Sequence, residues 1–150
     1  MEDFRLARDL AEEDPAEKEK RKAEEEQAEK EKAVALTGIL ITSGFTIEGY
    51  KITKYSGYIS GDAAESAAAP LSLHPDAENT LTLENVLLKT LAEIRRNAIQ
   101  ELKEAAYAFG CNAVIGVDFD YLTLEQSHEF YVICVTANGN AVVIEKIEED

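Results

Sequence analysis

The sequence predicts a small α+β domain, a sheet packed on one long amphipathic helix in the order strand, helix, strand, strand. Residues 83–109 carry apolar side chains at spacings of mostly three and four, the period of a helix with one buried face. The flanking stretches, 37–62 and 112–147, are rich in Ile, Val, Thr and Tyr and punctuated by glycine, as strands with tight turns or bulges are. Residues 1–36 are of another composition and form a charged extension, helical or partly disordered, ahead of a domain at 37–150.

The extension contains "EEDPAEKEKRKAEEEQAEKEKA", almost all Glu, Lys, Arg and Ala. These residues favour helix, and pairs such as Glu26/Lys30 add i,i+4 support. Its alanines, Ala16, Ala23, Ala28 and Ala33, follow neither a heptad nor a 3.6-residue stripe. A solvated, partly formed helix is expected, with a weakly oligomerising helix as the functional alternative. Ahead of Pro15, "FRLARDL" offers Phe4, Leu6 and Leu10 as a short amphipathic turn.

In "TGILITSGFTIEGYKITKYSGYISGD", β-branched and aromatic residues lie between Gly44, Gly49, Gly57 and Gly61. "AAESAAAPLSLHPDAENT", small and polar with Pro70 and Pro75, is expected as a loop. Thr82 suits an N-cap and Glu84 the first turn of the long helix. Its predicted core stripe is Leu87, Leu88, Leu91, Ile94, Ala98, Leu102, Ala105, Ala106 and Phe109, with Gly110 as the C′ residue. Two strands should follow, 112–124 and 128–147. The second is open at "ANGN" to a hairpin turn, since Asn-Gly is a strong turn dipeptide.

A chain of 150 residues suits one domain with an appendage. Its formal charge of −15 argues against nucleic acid, whose binding rests on Lys and Arg displacing counterions, and against an anionic membrane surface. It favours attraction for cations. No apolar run nears the roughly 18 residues of a membrane span, and the N-terminus lacks an apolar signal core. A cytoplasmic location is the default expectation. Cys111 and Cys134 lie far apart and form no CxxC, so each is expected as a reduced thiol acting as a small hydrophobe.

The candidate site is "VDFDY", in which Asp118 and Asp120 stand two apart on one strand. Simple alternation puts Ala113, Ile115, Val117, Phe119 and Tyr121 on one side, toward the helix. Val114, Gly116, Asp118, Asp120 and Leu122 then fall on the other. The plainest reading is a strand emerging into solvent with its aspartates wetted. A second makes them ligands of a hard divalent cation, roughly 7 Å apart by strand rise, completed by Glu125, Glu129 or another subunit. A third makes them an acid/base dyad. No nucleophile or phosphate-cradling loop accompanies such a dyad, and no GxSxG, HExxH or Walker pattern occurs.

Cys111, His128 and Cys134 are weaker metal candidates, because soft-metal sites need converging thiols and imidazoles. Cys134 in "YVICVTA" reads as core packing, and His74 in "LSLHPDA" and His128 beside Glu129 as surface groups.

Two blocks resemble the YbjQ-like family, labelled putative heavy-metal-binding proteins. They are the EGY-x-I-x-x-Y-x-G-x-x-x-G run from Glu48 to Gly61 and "AYAFGCNAVIGVDFDY" from Ala106 to Tyr121. With the final strand the likeness spans roughly residues 42–147. It implies a compact α+β subunit assembling into a ring-shaped homopentamer, strands crossing between neighbours. It also implies a last strand that runs on through Gly139 with a bulge instead of turning back. Typical members have a Gly-rich, Arg-containing loop before the helix, where this chain has "AAAPLSLHPDAENTLTLEN".

The leading expectation is a non-enzymatic ring-forming protein that holds metal ions through acidic residues of the assembled ring. The alternative is a scaffold module recruiting a protein partner through residues 1–36, and the third an enzyme using Asp118/Asp120 at a subunit interface.

Overall fold

A computed structural model describes residues 14–68, 83–127 and 130–148. The segment "FRLARDL", Thr82, His74, His128 and Glu129 lie outside the described residues. The chain divides into two compact units, Met1–Thr37 and Gly38–Asp150.

In the first unit, helix α1 runs from Pro15 to Thr37 without a break, where the composition suggested partial helix. Asp14 caps it: Ala16 N donates to Asp14 Oδ1 at 3.2 Å and Lys18 N to Asp14 O at 3.0 Å. Pro15, lacking an N–H, suits the first helical position. An i,i+4 contact joins Arg21 to Glu25 at 3.6 Å, and Thr37 Oγ1 donates to Val34 O at 2.6 Å in the last turn.

The second unit contains β1 (Leu40–Ile41), β2 (Tyr50–Ala68), α2 (Leu83–Ala108), β3 (Ala113–Ser127) and β4 (Phe130–Lys146). They build a four-stranded sheet in the order β1-β3-β4-β2. β1 is parallel to β3, and the other pairs are antiparallel. The expected order of strand, long helix, strand, strand is present, with the short β1 added at one edge. β2 extends past the expected strand end: Ala63–Ala68, read as loop, pair in register with Phe130–Val135 of β4. Small residues carry no strand signal of their own, and the ladder to β4 overrides their propensity.

Helix α2 lies over β2 and β4. It buries Ile94, Ala98, Leu102 and Ala106, each 1% exposed or less. Its approach is so close that a Cβ on Gly61 would land on the backbone of Ala98 and Leu102. Leu87 lies outside the described side chains, and among the others of the expected stripe Leu88 at 59% and Phe109 at 58% exposed do not reach the sheet. Gly110, at φ 71°, ends the helix as expected, and Cys111 N returns to Ala106 O at 2.9 Å.

β4 runs straight through Asn138 and Gly139, so the hairpin reading of "ANGN" is overturned. The irregularity lies opposite, in β3. Ile115 pairs with Asn140 and Asp118 with Asn138, so Gly116 and Val117 together face Gly139. This is a β-bulge with Gly116 at φ 60°, a left-handed conformation that glycine adopts without strain. The residues following β1 hold it from outside: Gly116 N donates to Gly44 O at 2.9 Å, and Val117 N to Thr42 O at 3.0 Å.

The extra residue reverses the strand's faces, which corrects the simple alternation. Before the bulge, Ala113 and Ile115 join Val142 and Ile144 in a cluster capped by Ile47 and Ile52, on the side away from α2. Val114 and Val117 instead close over Gly139 on the helix side. After the bulge, Phe119 and Tyr121 lie on the helix side. Arg95 of α2 donates from Nε to Tyr121 Oη at 3.2 Å, its guanidinium 5.9 Å from the ring centroid.

Candidate functional site

The bulge decides where the two aspartates point. Unbroken alternation from Ile115 would have turned Asp118 and Asp120 toward α2. One inserted residue sends both to the opposite face, where they are exposed. Helix α2 lies on the other face of the sheet.

Cross-strand register composes the site in rows. Asp120 and Asp62 both stand opposite Thr136, one from β3 and one from β2. Asp118 and Ser60 both stand opposite Asn138, and Ile115 and Tyr58 opposite Asn140. The donors of β4 tie the carboxylates down. Thr136 Oγ1 donates to Asp62 Oδ1 at 2.7 Å, and Asn138 Nδ2 to Asp120 Oδ2 at 3.0 Å. Asp118 Oδ1 accepts from the Phe119 N–H at 2.9 Å. Phe45, 72% exposed, lies against Gly116 beside this polar strip. Beyond it, Leu122 and Leu124 leave the same face apolar and exposed.

Asp62 is the member that sequence reasoning missed. It follows Gly61 in a strand whose pairing cannot be read from spacing, and only the β2–β4 register brings it into line with Asp120. Its separation from Asp120 is two strand spacings, roughly 10 Å, and that of Asp118 from Asp120 roughly 7 Å. Two or three carboxylates alone leave a hard cation's roughly six to eight oxygen ligands incomplete. Among the described residues no group of three or more His, Cys, Asp or Glu is placed to hold a metal.

The other candidates are dispersed. Cys111 is buried where α2 meets β3, its Sγ 3.8 Å from Phe109 O. Cys134 is half-buried in β4 opposite Leu122 and Ala64. The two thiols lie on the order of 30 Å apart measured along the strands. Glu125 lies in β3 opposite Tyr131, and His128 and Glu129 fall outside the described residues. A heavy, soft metal needs converging thiolate and imidazole donors. The described residues of one chain do not fit such a centre. Likewise among them, no helix is long and apolar enough to cross a membrane.

Comparison with known proteins agrees with this fold. Residues 39–145 match the YbjQ family model, described as "Putative heavy-metal-binding". A UPF0145 protein of Clostridium kluyveri is 37% identical over 100 residues, covering 66% of this chain and 92% of the relative. A UPF0145 protein of Acetivibrio thermocellus is 36% identical over 100 residues with the same coverage. Among solved structures, a DUF74-family protein of unknown function from Pediococcus pentosaceus superposes with a TM-score of 0.53 at 17% identity. It covers 72% of this chain and 99% of that one. That last likeness concerns the fold alone.

Proposed function

Since the chain belongs to the YbjQ family, which takes in the UPF0145 proteins, we propose that it is a non-catalytic, ring-forming subunit, assembled as a homopentamer, whose copies together hold divalent cations through Asp118 and Asp120. The observation carrying this reading is the placement of both carboxylates, with Asp62, on an exposed sheet face where one chain leaves the ligand set unfinished. Hard cations take six or more oxygens, and a ring multiplies each carboxylate by the number of copies.

Assembly has its own support. Among the described residues, β2 pairs with β4 alone, and β3 is met on its other side by β1 and the residues after it as far as Val117, so a long edge of each strand stays open there. Such edges are templates for pairing with another chain. An edge of β2 meeting an edge of β3 would be a head-to-tail contact, the type that closes into rings.

Titration calorimetry of zinc, copper, nickel and calcium into chelator-treated protein tests the cation reading. Asp118→Asn with Asp120→Asn should abolish the isotherm of whichever ion binds, and unchanged isotherms would sink the carboxylate site. Light scattering tests the ring, which a monomer at micromolar concentration contradicts.

A second reading, a scaffold that recruits a protein through residues 1–36, is favoured by α1: a capped helix whose residues are nearly all exposed. A helix polar all round gains little by folding for its own core. If deletion of residues 1–36 leaves the set of co-purifying proteins unaltered, that reading fails.

A further inference from the structure

The Asn138–Gly139 pair sits in the middle of the central strand, and packing explains its glycine. Val114 and Val117 close over position 139, where a Cβ would land on Val114 Cγ1 and stand 3.1 Å from Val117 Cγ2. That demand has a chemical consequence for the residue before it. Asparagine followed by glycine is an unusually labile amide, because a residue without Cβ lets its backbone nitrogen swing onto the preceding side chain. We propose that Asn138 is a deamidation site gated by the pairing of β4 and by its hydrogen bond to Asp120.

The reaction needs only water. The deprotonated Gly139 nitrogen attacks Asn138 Cγ and closes a five-membered succinimide. The side-chain nitrogen takes up a proton and leaves as ammonia. Water then opens the ring to aspartate or isoaspartate, with no change of oxidation state. The native strand withholds this geometry twice. Asn138 is extended between Asp118 and Ser60, which keeps the next backbone nitrogen away from Cγ. Its Nδ2 donates to Asp120 Oδ2 at 3.0 Å, which fixes the amide across the sheet and not along the strand. Local opening of β4 removes both restraints.

Closing again is then impaired. A new carboxylate at position 138 would stand directly opposite Asp118, where like charges destabilise a sheet, and would meet Asp120 diagonally where a donor had been. An isoaspartyl linkage would also lengthen the backbone and disturb the register. The site would thereby convert a transient opening into lasting damage to the open face.

The test follows deamidation by peptide mass spectrometry on the full chain at mildly alkaline pH. Asn140, which precedes Ala141, serves as internal reference. Asn138 should react about tenfold or more faster in unfolding urea than in native buffer, and should outpace Asn140 in urea. Equal rates in the two conditions, or Asn140 keeping pace, would overturn the proposal. Asp120→Ala should raise the native rate several-fold while leaving the rate in urea unchanged. Asp120→Asn keeps an oxygen acceptor and should stay near wild type. A native rate indifferent to Asp120→Ala overturns the part given to that carboxylate. Circular dichroism of each variant before incubation separates an opened gate from a failure to fold.

Discussion

Asn112 grips Ile144 by both backbone groups: its Nδ2 donates to Ile144 O at 2.9 Å, and Ile144 N donates to its Oδ1 at 2.7 Å. The Asn112 N–H reaches Val142 O at 3.2 Å, and its carbonyl accepts from Leu40 N at 3.2 Å. One residue, set between the helix cap and β3, thus extends the β3–β4 ladder and starts the parallel contact with β1. A side-chain amide carries its donor and its acceptor on separate atoms, as a two-point grip on one residue's N–H and C=O requires.

Replacing that amide should be costly for a residue on the surface. Asn112→Ala leaves both Ile144 groups without their partner, and stability should fall by about 1–3 kcal/mol. Asn112→Asp keeps the acceptor but sets a carboxylate against the Ile144 carbonyl, so it should be no better. Urea unfolding would read this as a lower midpoint at unchanged slope. An unchanged midpoint for both variants would show the clamp to be dispensable.

Two buried glycines should respond to alanine in a definite order. At Gly61 the added carbon meets backbone, the Ala98 carbonyl and the Leu102 nitrogen, so the helix itself must lift. At Gly139 it meets the Val114 and Val117 side chains and the Ile115 carbonyl, where part of the obstruction can rotate away. Overpacking costs typically about 1–3 kcal/mol, and Gly61→Ala should reach or pass the top of that range while Gly139→Ala stays inside it. Thermal unfolding of the two variants side by side checks the order, and a milder Gly61→Ala contradicts the close helix approach.

The helix and both late strands were legible because their signals are local: a 3.6-residue period closed by Gly110, then runs of Val, Ile and Phe. The faces of β3 were not. Both sides of that strand are apolar up to Val117, so one inserted residue leaves no trace in the alternation until Asp118. The clue was Gly116, a glycine inside a strand, whose meaning depends on the partner it opposes. Asp62 and the Ala63–Ala68 end of β2 were hidden for a related reason. Their roles come from pairing with β4, about 70 residues away in sequence, which no local pattern encodes.

The bulge can be tested without touching the aspartates. Gly116→Ala places an L-residue at φ 60°, which costs about 1–2 kcal/mol in backbone strain. Its Cβ also comes 2.8 Å from Phe45 Cε1. Phe45 is exposed and free to move, so strain and not the clash should dominate. Adding Phe45→Ala should therefore recover only a minor part of the loss in a double-mutant cycle followed by urea unfolding. Full recovery would mean that the ring, and not the left-handed backbone, makes glycine necessary there.

If cations are held between copies, binding and assembly must be linked. A ligand that binds the assembled form and not the free chain stabilises assembly by mass action, by about 2.7 kcal/mol at a hundred times its dissociation constant. Dilution monitored by light scattering should then show dissociation at a higher protein concentration with chelator than with a saturating cation. The shift should vanish in the Asp118→Asn, Asp120→Asn variant, and Asp62→Asn should reduce it if the row shared through Thr136 acts as one surface. Repulsion gives the opposite sign in the absence of cation. Carboxylates gathered by symmetry disfavour the ring, so the double asparagine variant should assemble more tightly than wild type in chelator. A wild-type assembly equally stable with and without cation, and unmoved by the double substitution, would leave the acidic face without a part in holding the copies together.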